Sequence, residues 1–250
     1  GVTIDGETII GWETLSFTRS LDSMDTYSLS APFTPSDMTF RRLFKPFTYK
    51  PVVISSGGVP LFTGTQLTVD PSTGSRRTVT TGGYALAGVL NDCTASASSL
   101  PLEFLGVNLQ VIASKICAPF GLVPVFEDGA GAVFDQIEIK PDEKVLPFLI
   151  KLAQQRGFII KSNAVGLPVF KKVSEGVPVV VLKEGESPLV SVSPLLSPQT
   201  MYSSITGLEP ADLINREGQQ LTVRISSMPG VVRPFTYPVK DVAGGELQTA

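Results

Sequence analysis

The chain of 250 residues contains no histidine. That absence removes every Ser-His-Asp and Cys-His nucleophile arrangement and every metal site that relies on imidazole. Cysteine is almost as scarce. Cys93 and Cys117 stand alone, without CxxC spacing, so neither a four-cysteine zinc site nor a disulfide framework is available. The two read as a buried pair of small apolar thiols, with a single disulfide left open. Charge is thin at 17% of residues, and the net value is −3. A chain whose main work was nucleic-acid binding would carry a basic face, and this balance provides none. No run approaches the roughly 20 apolar residues of a membrane helix. The longest, residues 145–150, is interrupted by Pro147. No signal-peptide pattern opens the sequence at Gly1.

What is present points to packed β structure. Hydrophobic residues make up 42%, enough for sizeable cores, and 23 Gly with 20 Pro punctuate the chain often. Such punctuation suits short strands and turns. Residues 13–19 alternate, with Leu15 and Phe17 on one face and Thr14, Ser16 and Thr18 on the other, and residues 26–31 repeat the pattern with Tyr27, Leu29 and Ala31. Period two predicts half-buried antiparallel strands, and residues 21–25 supply a turn between them. Residues 52–55 and 59–62 flank Ser56-Gly57-Gly58, a hairpin signal. Residues 65–70 and 76–80 flank Pro71-Ser72-Thr73-Gly74, a second one. Six or so short strands over the first hundred residues predict a small barrel or sandwich.

The middle changes period. Asn108 caps a predicted helix reaching Cys117, with Leu109, Ile112 and Ile116 on one face, ended by Pro119 and Gly121. Residues 122–126 read as a strand and 127–132 as a Gly-rich turn. Asp142 reads as the cap of a second helix extending to Arg156, with Pro147 implying a kink or a late start, and Gly157 as its stop. Residues 158–160 and 167–170 form a predicted hairpin around residues 163–166. Beyond, residues 177–182, 189–192, 201–205, 220–225 and 231–237 are strand candidates, and 187–199 an extended connection. The fold class is therefore mainly β with an α/β insert. The divisions are a first β domain over 1–100, a strand-helix-hairpin module over 101–175, and a second β domain over 176–250.

Motifs that would carry catalysis are weak. Gly129-Ala130-Gly131-Ala132-Val133-Phe134 lacks the third glycine of a dinucleotide fingerprint and runs into a strand-like segment. Lys161-Ser162 has no upstream glycines, so no phosphate-cradling loop precedes it. Glu127-Asp128, Asp142-Glu143 and Glu184 with Glu186 are the nearest approach to a glycosidase carboxylate pair, and each is explained more simply as a loop, a helix start or a turn. No catalytic, cofactor-binding or metal-ligating residue is assigned. The basic clusters Arg41-Arg42 with Lys45, and Arg76-Arg77, read as solvated strand ends or, in a sharper reading, as subunit-interface residues that pair with acidic loops. Trp12, the single tryptophan, reads as a core residue beside Gly11.

The order of several short motifs resembles a known family. Gly11-Trp12 leads into Thr18-Arg19-Ser20-Leu21-Asp22-Ser23 and Tyr27-Ser28-Leu29-Ser30. Pro60-Leu61-Phe62-Thr63-Gly64 and Val89-Leu90-Asn91-Asp92-Cys93 follow, then Ala118-Pro119-Phe120-Gly121 and Ala153-Gln154-Gln155-Arg156-Gly157-Phe158. Together they resemble the baseplate hub proteins of Mu-like phages, the tail-protein P family, which is related in fold to the hub part of type VI secretion spike proteins. The resemblance implies tube-type antiparallel β-barrel domains, a homotrimer forming a pseudo-sixfold ring, and no cofactor. It implies tail tube or tube-initiator protein, central spike and other baseplate proteins as partners, in a virion assembled in the host cytoplasm. It also implies neither nucleic-acid sequence recognition nor membrane insertion, and family members that continue past Ala250. A carbohydrate or cell-surface binding module and a cell-wall hydrolase acting through Glu127 or Asp128 are the alternatives.

Overall fold

The computed structural model describes residues 1–74, 76–173, 180, 181, 183–185, 193, 201–208, 220–224 and 232–238. The chain divides into two compact units, Gly1–Ser174 and Glu175–Ala250.

The first unit begins with seven strands: β1 (Val2–Ile4), β2 (Glu7–Thr8), β3 (Thr14–Thr18), β4 (Thr26–Pro32), β5 (Pro51–Ser56), β6 (Val59–Thr73) and β7 (Arg77–Ala85). They form one sheet in the order β2-β1-β5-β6-β7-β4-β3. Every pairing in it is antiparallel. The alternation read from the sequence holds. Tyr27, Leu29 and Ala31 of β4 and Val52 and Ile54 of β5 are buried, and their neighbours in sequence face outward or toward the margins. One face of all these strands thus turns toward one cluster that includes Val2, Ile4, Leu29, Phe62 and Val79. Among the described residues, the cluster takes its helical contribution from α1 (Met38–Leu43) and the adjoining Phe44. Six helical residues are far too few to cover seven strands, so the sheet must curve around its own apolar face. Register shifts at Ile54/Ser55 and Gln66/Thr68 provide bends of the kind such curvature requires.

Two glycine sites show what close approach demands. Gly57 and Gly58 both adopt positive φ (57° and 82°) and join β5 to β6 through a two-residue loop, as the sequence predicts. Gly83 of β7 faces the Thr65 carbonyl so closely that a Cβ would collide with it. The Tyr27 ring passes beside the same glycine to meet Phe62, with ring centroids 5.4 Å apart.

Several expectations are corrected here. The segments 59–62 and 65–70 are parts of one 15-residue strand. It continues through Pro71 to Thr73, and β7 begins at Arg77. Beyond Thr65, β5 no longer pairs with β6, so the missing N–H of Pro71 interrupts no second ladder. The strand expected at 76–80 extends to Ala85. The helix α1 was not foreseen. Six residues are too few to show a helical period, and the signal lies in its cap, where the Asp37 carboxylate accepts from the N–H groups of Thr39 (2.8 Å) and Phe40 (3.4 Å). Trp12 is 41% exposed and is not a core residue.

The rest of the first unit mixes helix and strand: α2 (Val89–Asp92), β8 (Glu103–Val107), α3 (Leu109–Cys117), β9 (Val125–Phe126), β10 (Phe134–Glu138), α4 (Val145–Gln154), β11 (Phe158–Ser162) and β12 (Pro168–Lys172). The pair β10-β8 is an antiparallel ribbon, and β11-β12-β9 is a small mixed sheet. Asn108 caps α3 as predicted, its side chain accepting from Val111 N–H at 3.1 Å. Leu109, Ile112, Ile116 and Cys117 form its buried face. The second predicted helix starts later than Asp142. Lys144 is its flanking residue, and Pro147 occupies the third helical position. There the absent N–H is one of the donors that a helix start leaves unpaired in any case. The helix ends at Gln154, short of Arg156, and Gly157 reverses the chain at φ 69°. The strand expected at 122–126 contracts to its last two residues. Phe126 stacks on Phe170 with centroids 4.4 Å apart and meets Phe158 edge-on at 6.2 Å, which ties β9 to the β11-β12 hairpin. Both cysteines are free. Cys117 is buried, and Cys93, at the end of α2, is half-exposed, so the two do not form a buried pair.

The second unit, taken by itself, holds β13 (Ser204–Leu208), β14 (Gln220–Arg224) and β15 (Pro234–Pro238). Their order is β14-β13-β15, with β14 antiparallel and β15 parallel to the central strand. The strand expected at 201–205 begins three residues later, at Ser204. The candidates at 189–192 and most of 177–182 lie outside the described residues, as does all of the 187–199 connection except Ser193.

Candidate assembly surface

The first unit joins its large sheet to its α/β part through a polar seam. The loop after β3 places Asp22 at positive φ (54°). Its N–H donates to the Ile160 carbonyl at 2.9 Å, and its carboxylate accepts from Ile160 N–H at 3.2 Å. Three residues on, Asp25 N–H donates to Ser162 Oγ at 3.0 Å, and that hydroxyl donates to Met24 Sδ at 3.4 Å. Thr63 Oγ1 donates to the Ala164 carbonyl at 2.9 Å, and Ala87 N–H to that of Gly166 at 2.8 Å. The segment 21–25, read from sequence as a turn, is therefore a docking element. Asp25 is 3% exposed. Burial holds its carboxyl above the ordinary carboxylate value, against the opposing pull of Ser20 N–H, Arg19 and Lys161. A cleft of about 400 Å³ opens beside it, lined in part by Arg19, Glu127 and Lys161.

The carboxylates considered for hydrolysis have other engagements. Glu127 pairs with Lys171 at 2.9 Å, an interaction that raises the lysine's pKa. Asp128 accepts from Lys172 N–H at 3.0 Å. These bonds hold the loop after β9 against β12.

The four arginines singled out from sequence separate into two places. Arg41 and Arg42 sit in the last turn of α1, which corrects their reading as a strand end. A cation there also suits the helix dipole. Arg42 pairs with Glu7 at 2.9 Å. Arg76 pairs with Glu13 at 3.5 Å, and the Arg77 carbonyl accepts from Phe33 N–H at 2.9 Å. Both ion pairs are exposed, so each contributes at most about 1 kcal/mol. Arg41 and Lys45 make no ion pair among the described residues. They flank a groove of about 230 Å³ whose walls include Phe33, Phe44, Val69 and Val79.

A second exposed feature was missed in the sequence. Phe47 is 91% exposed and Tyr49 is 68% exposed, and both hold positive φ (61° and 48°). Non-glycine residues in this region cost about 1–3 kcal/mol each. Thr48 Oγ1 donating to the Lys45 carbonyl at 2.8 Å helps fix the loop. The available signal was the bracketing of two aromatics by Pro46 and Pro51. Ile10, 85% exposed, adds an aliphatic side chain two positions before Trp12 in the sequence. The large sheet also ends on β2 and β3, each paired on one side only. Exposed apolar side chains, unpaired cations and open strand edges are the chemistry of association between macromolecules.

Comparison with known proteins agrees with this character. Residues 87–172 match the family model described as baseplate hub protein gp44-like, second domain. The chain is 28% identical over 181 residues to the baseplate hub protein gp44 of Escherichia phage Mu, an alignment covering 68% of this chain and 45% of that relative. The chain thus spans less than half the length of the Mu protein. Among solved structures, the 43 kDa tail protein of prophage MuSo2 from Shewanella oneidensis superposes with a TM-score of 0.77 at 23% identity, covering 96% of this chain and 72% of that one. A tail protein from Neisseria meningitidis MC58 gives 0.76 at 19%, covering 96% and 71%. More distantly, an Escherichia coli component of the type VI secretion system gives 0.51 at 13%, covering 68% and 48%. The resemblance to Mu-like baseplate hub proteins drawn from the sequence is borne out, and the mainly antiparallel β fold is that of phage tail proteins.

Proposed function

We propose that the chain is a non-enzymatic structural subunit of the baseplate hub of a contractile phage tail. Three copies form a pseudo-sixfold ring that joins the sixfold tail tube to the threefold central spike. Each copy contributes a first β domain over 1–100 and a second over 176–250, with 101–175 as the insert between them. Tube or tube-initiator protein, spike and other baseplate proteins are the partners, and the site of action is the virion, after assembly in the host cytoplasm. The observation that carries the reading is the match of residues 87–172 to the hub domain model. The physical character of the first unit supports it. A curved sheet with two open edges and exposed Phe47 and Tyr49 needs neighbours to cover it. Arg41 and Arg42 on α1, and Arg76 and Arg77 at the start of β7, supply charge for subunit contacts.

Cryo-electron microscopy of the intact particle tests this. Three copies of the chain at the junction of tube and spike are expected. A particle whose baseplate lacks the chain would refute the reading. One observation favours a second reading, binding of a carbohydrate or cell-surface ligand. Trp12, Phe47 and Tyr49 are exposed, and sugar sites use such rings. Saturable binding to a glycan array, lost on replacing Trp12, would move that reading ahead.

A further inference from the structure

We infer that the groove beside Arg41 receives the β8-β10 ribbon of a second copy of this chain, Leu105 entering the groove and Glu103 and Glu138 facing Arg41 and Lys45. The inference rests on the assembly reading above and names two surfaces that meet.

The groove side has an apolar interior and a cationic rim. Phe33, Phe44 and Val79 line a space of about 230 Å³, enough for one branched aliphatic side chain. Of the other nearby arginines, Arg42 is matched by Glu7 and Arg76 by Glu13. Arg41 and Lys45 have no ion pair among the described residues, so positive charge is left over at this rim.

The ribbon side has the opposite arrangement. In its antiparallel register Glu103 stands directly opposite Glu138, and Leu105 opposite Gln136. Residues opposite one another, and those two apart, share a face. Phe104 and Ile137 form the buried face of the ribbon, and Glu103, Leu105, Gln136 and Glu138 are exposed together on the other, which is bounded at its far end by the buried Phe134. Leu105 is 62% exposed. Like charges directly across a ladder are unfavourable. Gln136 donates to Glu103 at 2.7 Å, and neither glutamate has an ion pair among the described residues. An apolar knob flanked by two carboxylates therefore complements an apolar groove flanked by two cations. Bringing them together relieves the repulsion across the ribbon and covers Leu105. Groove and ribbon are different surfaces of one chain. Their contact is head-to-tail, and repeated it either closes a ring or runs on.

The test is charge reversal in the full chain, read by sedimentation equilibrium at about 0.1 M salt, where surface charges still act over about 10 Å. E103K/E138K and R41E/K45E should each weaken self-association about tenfold or more. The chain carrying all four substitutions should return to near the parent affinity. L105S, which alters no charge, should weaken association as well, and unchanged melting temperatures would show that every variant folds. Reversals that leave association unchanged, or a quadruple variant that fails to recover, overturn this pairing and leave the assembly reading standing. A parent chain that does not self-associate removes both.

Discussion

The large sheet and the α/β part of the first unit are held together by different means. In the sheet, side chains reach over missing ones. Tyr27 passes beside Gly83 to touch Phe62, and no Cβ fits there. In the α/β part, apolar helix faces and stacked rings fill the interior, with Ile112, Ile116, Leu149 and Leu152 buried and Phe126 lying on Phe170. The sheet pushes its strained and aromatic residues outward, at Phe47 and Tyr49. Conformational cost at exposed aromatics is the observation that the proposed assembly surface draws on there. The α/β part is the region whose family model matches, and its conformation is set by its own core.

The comparison breaks first on cooperativity. Phe62→Ala in the sheet and Leu149→Ala in α4 should each cost about 3–5 and 2–5 kcal/mol. Because Gly1–Ser174 is one compact unit stitched by the Asp22 and Asp25 seam, both should lower a single calorimetric transition. Two transitions that respond separately would show that sheet and α/β part fold alone. A smaller effect sharpens the packing contrast. Gly83→Ala should cost about 1–3 kcal/mol in denaturant unfolding, because the Thr65 carbonyl lies on rigid backbone. An alanine accepted at no cost would deny the close approach. Asn108→Ala should cost about 1 kcal/mol by removing the cap of α3, measured in the same way.

The seam gives the smallest effect and the one with a definite sign. Burial raises the Asp25 pKa, so the folded state holds its proton more tightly than the unfolded state does. Its contribution to stability is therefore complete below the ordinary carboxylate value and falls as pH rises through the raised one. Asp25→Asn, which still offers an oxygen to Ser20 N–H, should melt like the parent in acid and higher than the parent at neutral pH. A variant that melts lower at neutral pH would mean that Arg19 and Lys161 outweigh burial.

How far the sequence could be read follows from where its signals are local. Asn108 and the face Leu109, Ile112 and Ile116 announce α3, and Gly57-Gly58 announces the first hairpin, because cap, period and turn all lie within a few residues. The helix α1 escaped because six residues carry no period. The joining of 59–62 and 65–70 into β6 escaped because Gly64 between them reads as a break, and the continuation through Pro71 escaped because proline reads as a turn until one knows that β5 no longer pairs beside it. Asp142 was the more familiar cap, yet Pro147 delays the helix to Val145. At the candidate surface, the arginines were legible as charge but not as neighbours of a groove. Trp12 was misplaced because composition alone does not say which aromatic a loop carries to the surface. Phe47 and Tyr49 needed the backbone, since positive φ at an aromatic is set by tertiary context.

The proposed function requires that copies of this chain associate with one another. Sedimentation equilibrium of the parent chain at micromolar concentration tests it most directly. A mass of three subunits is the predicted result, and a single-subunit mass that persists as concentration rises would contradict it.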